Sequence, residues 1–332
     1  MRAVRFHTFG GPGVLAIEDD VPEPPAGPGQ VRVRVQAASV NPVDWKIRSG
    51  MLKKAVPTTL PSIPGSDAAG IVDQIGAGVT GIELGAAVFG LAARPGTLAE
   101  FAVLRAWAPI PSAWTFEQAA AAGLAADTAI IALDALGELN GRTLLIEGAA
   151  GGVGSAAVEL AVARGASVIG TASERKHSFL RSLGATPTTY GQGLAERTAA
   201  LAPGGVDAAI DMIGSGSLRT LVNIVGDPAS VVSIADDNAA ALGATYIRGG
   251  GESHASLAAA ANLGQQGSYT PRVETIYALE QAAAAQAHSQ NGHTTGKIVI
   301  RVPGNSPGNR CAESGFQALT WTSADAKSPS IL

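Results

Sequence analysis

Hydrophobic and polar positions alternate early in the chain. In Val31-Arg32-Val33-Arg34-Val35 the valines fall on every second residue, the period of a strand with one buried and one solvated face. A Pro/Gly-rich connection, residues 22–29, precedes it, and further strands are expected at 70–75, 86–92 and 101–104 between Gly/Thr turns. Short strands with frequent turns predict a β-rich first domain, a partly open barrel. The pattern changes at Thr115. Thr115-Phe116-Glu117-Gln118 has capping-box spacing, in which the Thr hydroxyl and the Gln amide satisfy each other's orphan backbone donors, and an alanine-rich helix is expected to run on to residue 136.

From residue 143 strand-like and helix-like stretches alternate. Strands are expected at 144–146, 167–171, around 188, at 206–212 and at 230–234. Helices are expected from 155, at 175–183, at 195–201 and from 217. Repeated βα units of this length imply a doubly wound parallel sheet with right-handed crossovers. Helices at 256–263 and 279–288 follow, and a last strand at 297–302 is expected to return to the first domain. The predicted division is 1–120 with 265–302 as a discontinuous catalytic domain, 121–264 as the nucleotide-binding domain, and 303–332 as a flexible tail rich in Ser, Gly, Asn and Pro, with Phe316 and Trp321 able to dock.

The stretch 144–154, LLIEGAAGGVG, carries the chemistry of the second half. An apolar strand runs into a burst of small residues and then into helical sequence, as in an imperfect G-x-G-x-x-G with Ala149 at the first glycine and Gly151 and Gly154 at the others. The first amides of a helix lack intrahelical acceptors and sit at the positive end of its dipole, so such a turn binds a pyrophosphate if no side chain holds it away. Ala150, Gly151, Gly152, Val153 and Gly154 are the predicted ligands.

Bulk properties narrow the partners. The 332 residues are 46% hydrophobic and 15% charged with a net charge of −4, an ordinary globular composition without a polybasic patch, so no nucleic acid partner is expected. The N-terminus lacks the apolar core of a signal peptide, and no run is read as approaching the roughly 18 apolar residues of a membrane span. No membrane association is expected. The single cysteine, Cys311, excludes an intrachain disulfide and a four-cysteine zinc site, and fits a cytoplasmic location. The five histidines show no metal-ligand spacing, and no metal site is expected.

Four stretches in order, residues 38–46 (ASVNPVDWK), 64–70 (PGSDAAG), 148–154 and 296–299 (GKIV), resemble the zinc-independent, zeta-crystallin-like quinone oxidoreductases of the medium-chain dehydrogenase/reductase superfamily over residues 1–302. The resemblance implies a GroES-like catalytic domain beside a Rossmann domain, and a homodimer. It also implies an NADPH-dependent, metal-free reduction of a small hydrophobic quinone or α,β-unsaturated carbonyl. Zinc relatives place a Cys and a His-Glu pair near the positions where this chain has Asn41, Ser66 and Asp67. Hydride addition to a conjugated carbonyl spreads charge onto one oxygen, which a few hydrogen-bond donors can stabilise without a Lewis acid.

Residue by residue, the resemblance puts Asn41 beside nicotinamide and substrate, although Asn41 also reads as a turn-stabilising residue before Pro42. Asp44 and Lys46, two apart, share a face if the segment is a strand, while Pro42 favours a turn. Lys46 as oxyanion donor competes with Lys46 as a surface lysine. Thr128 is read as heading a helix near the nicotinamide. Ile213 lines the nicotinamide, Ser233, Ile234 and Ala235 end a sheet strand where ligands collect, and Lys297 belongs to the cofactor set. At the end of the second strand the neutral Ser173, with Lys176 and Tyr190, favours a 2′-phosphate and hence NADPH. Glu174 is the competing ribose ligand that would favour NADH. Two other functions stay open, an enoyl reductase of a polyketide-type pathway and a non-catalytic NADPH-binding protein.

Overall fold

The computed structural model describes residues 1–248 and 254–302; residues 249–253 and the stretch 303–332, with Cys311, Phe316 and Trp321, lie outside the described residues. The chain opens with a short antiparallel pair, β1 (Ala3–Arg5) and β2 (Ala16–Glu18), and continues into β3 (Val31–Val40). The alternation read in the valines holds in the first half of β3, where Val31, Val33 and Val35 are buried. From Ala37 to Val40 every residue is buried, and Ala37 belongs to the core shared with the helix Phe116–Asp134. After α1 (Pro42–Arg48) come β4 (Asp67–Ile75), β5 (Ala87–Ala92) and β6 (Phe101–Pro109). β3 pairs with β4 along one edge and with β6 over residues 31–34 on the other, so β3, β4, β5 and β6 close on themselves as a small barrel.

α2 (Phe116–Asp134) begins at the expected box: Gln118 N–H donates to Thr115 Oγ1 at 3.2 Å, and Gln118 Oε1 accepts from Thr115 N–H at 3.0 Å. This helix corrects one expectation. It is long and apolar enough to span a bilayer by composition, with a mean hydropathy of 1.2, but 72% of that window is buried inside the protein, as in a core helix.

The second half alternates as anticipated: β7 (Thr143–Glu147), α3 (Gly152–Ala163), β8 (Ser167–Thr171), α4 (His177–Ser182), β9 (Thr186–Thr188), α5 (Leu194–Leu201), β10 (Ala208–Asp211), α6 (Leu218–Val225), β11 (Val231–Ser233) and β12 (Thr245–Tyr246). All neighbours are parallel in the order β9-β8-β7-β10-β11-β12, which is the doubly wound Rossmann order with its switch point between β7 and β10. The middle of β7, residues 144–146, is apolar because both faces are covered. Leu144 and Ile146 join the core under α2 and α3, and Leu145 joins the one under α5 and α6.

The chain then forms α7 (His254–Gln265), β13 (Val273–Ala278), α8 (Ala282–Asn291) and β14 (Lys297–Arg301). β14 lies antiparallel to the second half of β3, with Ile298 opposite Val40, and parallel to β13. β12, β13 and α1 escaped the sequence reading. The barrel-side core is lined by Val31, Val33, Val35, Val72, Leu104 and Ile298.

Candidate functional site

The glycine turn stands at the carboxyl edge of β7, next to the switch point. The first α-helical bond of α3 runs from Ser155 N–H to Gly151 O at 2.8 Å, so the amides of Gly152, Val153 and Gly154 have no acceptor one turn back. The two motif glycines differ in their task. A Cβ on Gly154 would lie 2.1 Å from Gly148 O and 2.8 Å from Ala149 Cα, so this glycine lets α3 pack onto the turn. A Cβ on Gly151 would meet only Gly148 O, at 3.4 Å, and otherwise faces the open space in front of the amides. Helix-start amides without intrahelical acceptors suit a dinucleotide pyrophosphate.

The turn is clasped by the segment leading into β14. Gly296 N–H donates to Ala150 O at 2.9 Å, and Gly151 and Gly296 form a parallel bridge. This brings Lys297 against Gly152, whose absent Cβ would lie 2.5 Å from Lys297 Cδ. The Lys297 ammonium is buried and donates to Asn41 Oδ1 at 2.5 Å and to Val40 O at 3.1 Å. Lys297 thus joins the glycine turn to the β3 end. Burial pushes its ammonium below the usual lysine range, against the pull of Asp67 and Asp44.

Asn41 sits where β3 ends and α1 begins. Its backbone N–H donates to Asp44 Oδ2 at 2.8 Å and its carbonyl accepts from Asp44 N–H at 3.0 Å, so residues 41–44 cap a helix. Neither the strand nor the isolated turn foreseen there forms. The Asn41 side chain donates to Asp67 Oδ1 at 2.8 Å and to Ser39 Oγ at 3.2 Å. Asp67 also accepts from Ser39 Oγ at 2.6 Å and, through Oδ2, from Leu124 N–H of α2 at 2.7 Å. Ser66, partly exposed, donates to Asp44 Oδ1 at 2.6 Å. Desolvation pushes the Asp44 carboxyl up to about 7, and nearby Asp67 adds to the rise. The bonds from Ser66 and Asn41, and the charge of Lys297, oppose it.

Helical geometry corrects the pairing of Asp44 with Lys46. Two residues on a helix are about 200° apart, so the two point to opposite sides. Lys46 Nζ lies 5.8 Å from the Trp45 ring centroid and meets none of the cluster. Thr128 also departs from expectation. It does not head a helix but is buried well inside α2, one turn after Leu124.

At the other strand ends, Ser233 Oγ donates to Asp211 Oδ2 at 2.8 Å and accepts from the amides of Ala235 and Asp236, so its hydroxyl shapes the turn carrying Ile234 and Ala235. Asp211 Oδ1 accepts from Ile213 and Gly214 N–H at 2.9 and 2.8 Å. Ile213, 54% exposed, packs against Gly148 and presents an apolar face beside the glycine turn. Glu147, buried at the end of β7, accepts from Ser215 and Ser217, and burial raises its carboxyl above the usual range.

Around the end of β8, Ser173 precedes a single 3-10 turn (Glu174–Lys176). Lys176 Nζ donates to His293 O and Thr294 O, both at 2.7 Å, leaving one N–H uncommitted. Desolvation lowers its ammonium. Glu174 and Arg175 are exposed, and Tyr190 is 54% exposed, two residues beyond β9.

Sequence reading missed the roles of Ser39 and Glu147. Both carried a signal: Ser39 shares the parity of the buried valines of β3, and Glu147 is a charged residue closing an apolar strand just before the glycine turn. Such positions stay polar only when hydrogen-bonded.

Among the described residues no cluster of His, Cys, Asp and Glu could hold a metal ion. Two family models match: the alcohol dehydrogenase GroES-like domain over residues 27–112 and a model described as zinc-binding dehydrogenase over 183–300. The chain is 33% identical to a rat (Rattus norvegicus) quinone oxidoreductase over 90% of its own length and 96% of the relative's. It is 30% identical to the 2-methylene-furan-3-one reductase of Solanum lycopersicum, over 90% of this chain and 79% of that one. Among solved structures, the Escherichia coli quinone oxidoreductase complexed with NADPH superposes with a TM-score of 0.79 at 27% identity, covering 91% of this chain and all (100%) of that one.

Proposed function

The chain belongs to the zinc-independent quinone oxidoreductases of the medium-chain dehydrogenase/reductase superfamily, and on that premise we propose that it uses NADPH to reduce a small hydrophobic quinone or α,β-unsaturated carbonyl without a metal. NADPH, when bound, supplies the hydride. The observation that carries the reading is Lys297: one side chain packs on the pyrophosphate turn at Gly152 and bonds to Asn41, so the nucleotide cradle and the buried polar cluster share a single mouth.

In this reading the amides of Gly152, Val153 and Gly154 hold the pyrophosphate, with Ala150 and Gly151 shaping the cradle. Ser173, Tyr190 and the third N–H of Lys176 take the 2′-phosphate. Thr128, Ile213 and the turn of Ser233, Ile234 and Ala235 border the nicotinamide half. Lys297 orients Asn41 at the substrate, and Ile213 excludes water from that end. The donor set supports a metal-free reaction, because Asn41, Ser66 and Asp67 supply only one carboxylate and no soft or imidazole ligand. The homodimer and the cytoplasmic setting rest on the family resemblance.

The test is nicotinamide oxidation followed by absorbance with a panel of quinones, enones and enoyl thioesters, run with NADPH and NADH. Turnover of quinones or enones with a preference for NADPH is expected. Failure with every acceptor, or tighter binding of NADH, would overturn the activity or the cofactor assignment respectively.

A further inference from the structure

Hydride addition to a conjugated carbonyl leaves an electron pair on its oxygen, and that oxygen must take a proton. The donors nearest the mouth are already committed. Asn41 Nδ2 serves Asp67 and Ser39, and Lys297 spends two of its three N–H groups on Asn41 and Val40. Ser66 is placed differently. Its carbonyl is pinned by Ala92 N–H at 2.9 Å, the residue is partly exposed, and its hydroxyl donates to the buried Asp44 carboxyl at 2.6 Å. Asp44 is 2% exposed, and its other oxygen is held by the Asn41 amide. The pair is therefore a buried acid bonded to the hydroxyl of a partly exposed residue, within two hydrogen bonds of Asn41.

We propose that Ser66 is a catalytic residue that gives its hydroxyl proton to the substrate oxygen while protonated Asp44 reloads it. This rests on the reductase reading above. The Ser66 O–H bond breaks as the substrate O–H bond forms, the Asp44 O–H bond breaks as that of Ser66 re-forms, and water returns a proton to Asp44. Nothing is oxidised or reduced in this step. The short O···O contact serves either donor direction, so Asp44 donates to Ser66 when protonated and accepts from it when ionised.

Burial keeps the acid form available near neutral pH, with the Asp44 carboxyl at about 7. The charged groups facing it are Asp67 of β4 and Lys297 of β14. On α1 itself, Lys46 lies over Trp45, and Arg48 is turned away to Gly10 O, Gln286 and Gln290.

Ser66→Ala, Ser66→Thr and Asp44→Asn test this. In the ligand-free protein, a carbon-13 NMR titration of the aspartate carboxyls should find one group titrating near 7, and Ser66→Ala should move it upward, because the lost bond stabilised the ionised form. In turnover, wild-type kcat should fall as pH rises through about 7 and show a normal solvent deuterium isotope effect. Ser66→Ala should lower kcat on the order of 10²-fold with little change in NADPH affinity, and Ser66→Thr should restore most of it. Asp44→Asn should lose the pH dependence. If the wild type turns over and Ser66→Ala stays within about twofold, or slows without changing the pH profile and isotope effect, the relay is wrong and the reductase reading stands. If the wild type oxidises NADPH with no acceptor, both fall.

Discussion

At the scale of single residues, similar-looking positions have different physical duties. Gly151→Val should leave the melting temperature close to wild type and abolish NADPH binding, because its side chain enters open space in front of the helix amides. Gly154→Val should destabilise the protein, because its Cβ would sit 2.1 Å from a backbone oxygen that cannot move cheaply. Thermal melting with a fluorescence titration of NADPH separates the two. Lys176→Ala should weaken NADPH by about 1.5–3 kcal/mol, roughly 10- to 150-fold. A smaller loss should appear with NADH, because the same ammonium also anchors the carbonyls of His293 and Thr294. Equal losses for both cofactors would reduce Lys176 to a structural tie.

Asp44 makes a pH prediction with a defined sign. Its carboxyl rises from 3.8 to about 7 on folding, so between those values the folded state holds a proton that the unfolded chain has released. Its contribution to stability is complete below about 4 and declines as pH rises to about 7. Denaturant unfolding at about pH 5 and about pH 8 should show wild type losing more stability across that interval than Asp44→Asn.

At the scale of elements, α2 binds the halves together. One side contributes Leu124 N–H to Asp67 at the end of the barrel, while Ala126, Ala129 and Leu133 belong to the core shared with α3 and β7. Its entry is fixed by the Thr115 and Gln118 cap. Thr115→Ala should cost about 0.5–2 kcal/mol in denaturant unfolding, with kcat unchanged. A large loss of activity would mean that the cap transmits to the Asp67 end. α1 shows the converse. Its seven residues are too few for a periodic pattern to declare them, and the helix forms because Pro42 starts it and Asp44 caps it back onto Asn41.

At the scale of the whole molecule, the Rossmann half and the barrel half meet at residues 296 and 297. Among the described residues, ties between the halves include Gly296 to Ala150, Lys176 to the 293–294 carbonyls, and Arg272 to Glu159 at 2.6 Å, besides Leu124 to Asp67. The first three connect the Rossmann half to the segments flanking β13 and β14. Dialysis against a strong chelator should leave NADPH oxidation unchanged, since the polar cluster offers no set of ligands suited to zinc. A stoichiometric zinc whose removal abolishes turnover would overturn the metal-free mechanism.

What the sequence determined by itself was whatever depends on neighbours along the chain. The valine alternation of β3, the Thr115 to Gln118 box and the strand-turn-helix at 144–154 are local patterns, because strand pleat, helix capping and amide exposure each repeat within a few residues. The four spaced motifs added the family and, through it, the proposed cofactor residues. Tertiary structure decided the rest. Only folding shows that Asp44 and Lys46 face apart, that Thr128 is buried inside a helix, and that Lys176 is tied to a loop more than a hundred residues away. The Asn41, Ser66, Asp67 and Lys297 cluster draws on α1, the turn into β4 and β14. A carboxyl such as Asp44 acquires its proton affinity from burial, and burial is set by every element packed around it rather than by its sequence neighbours.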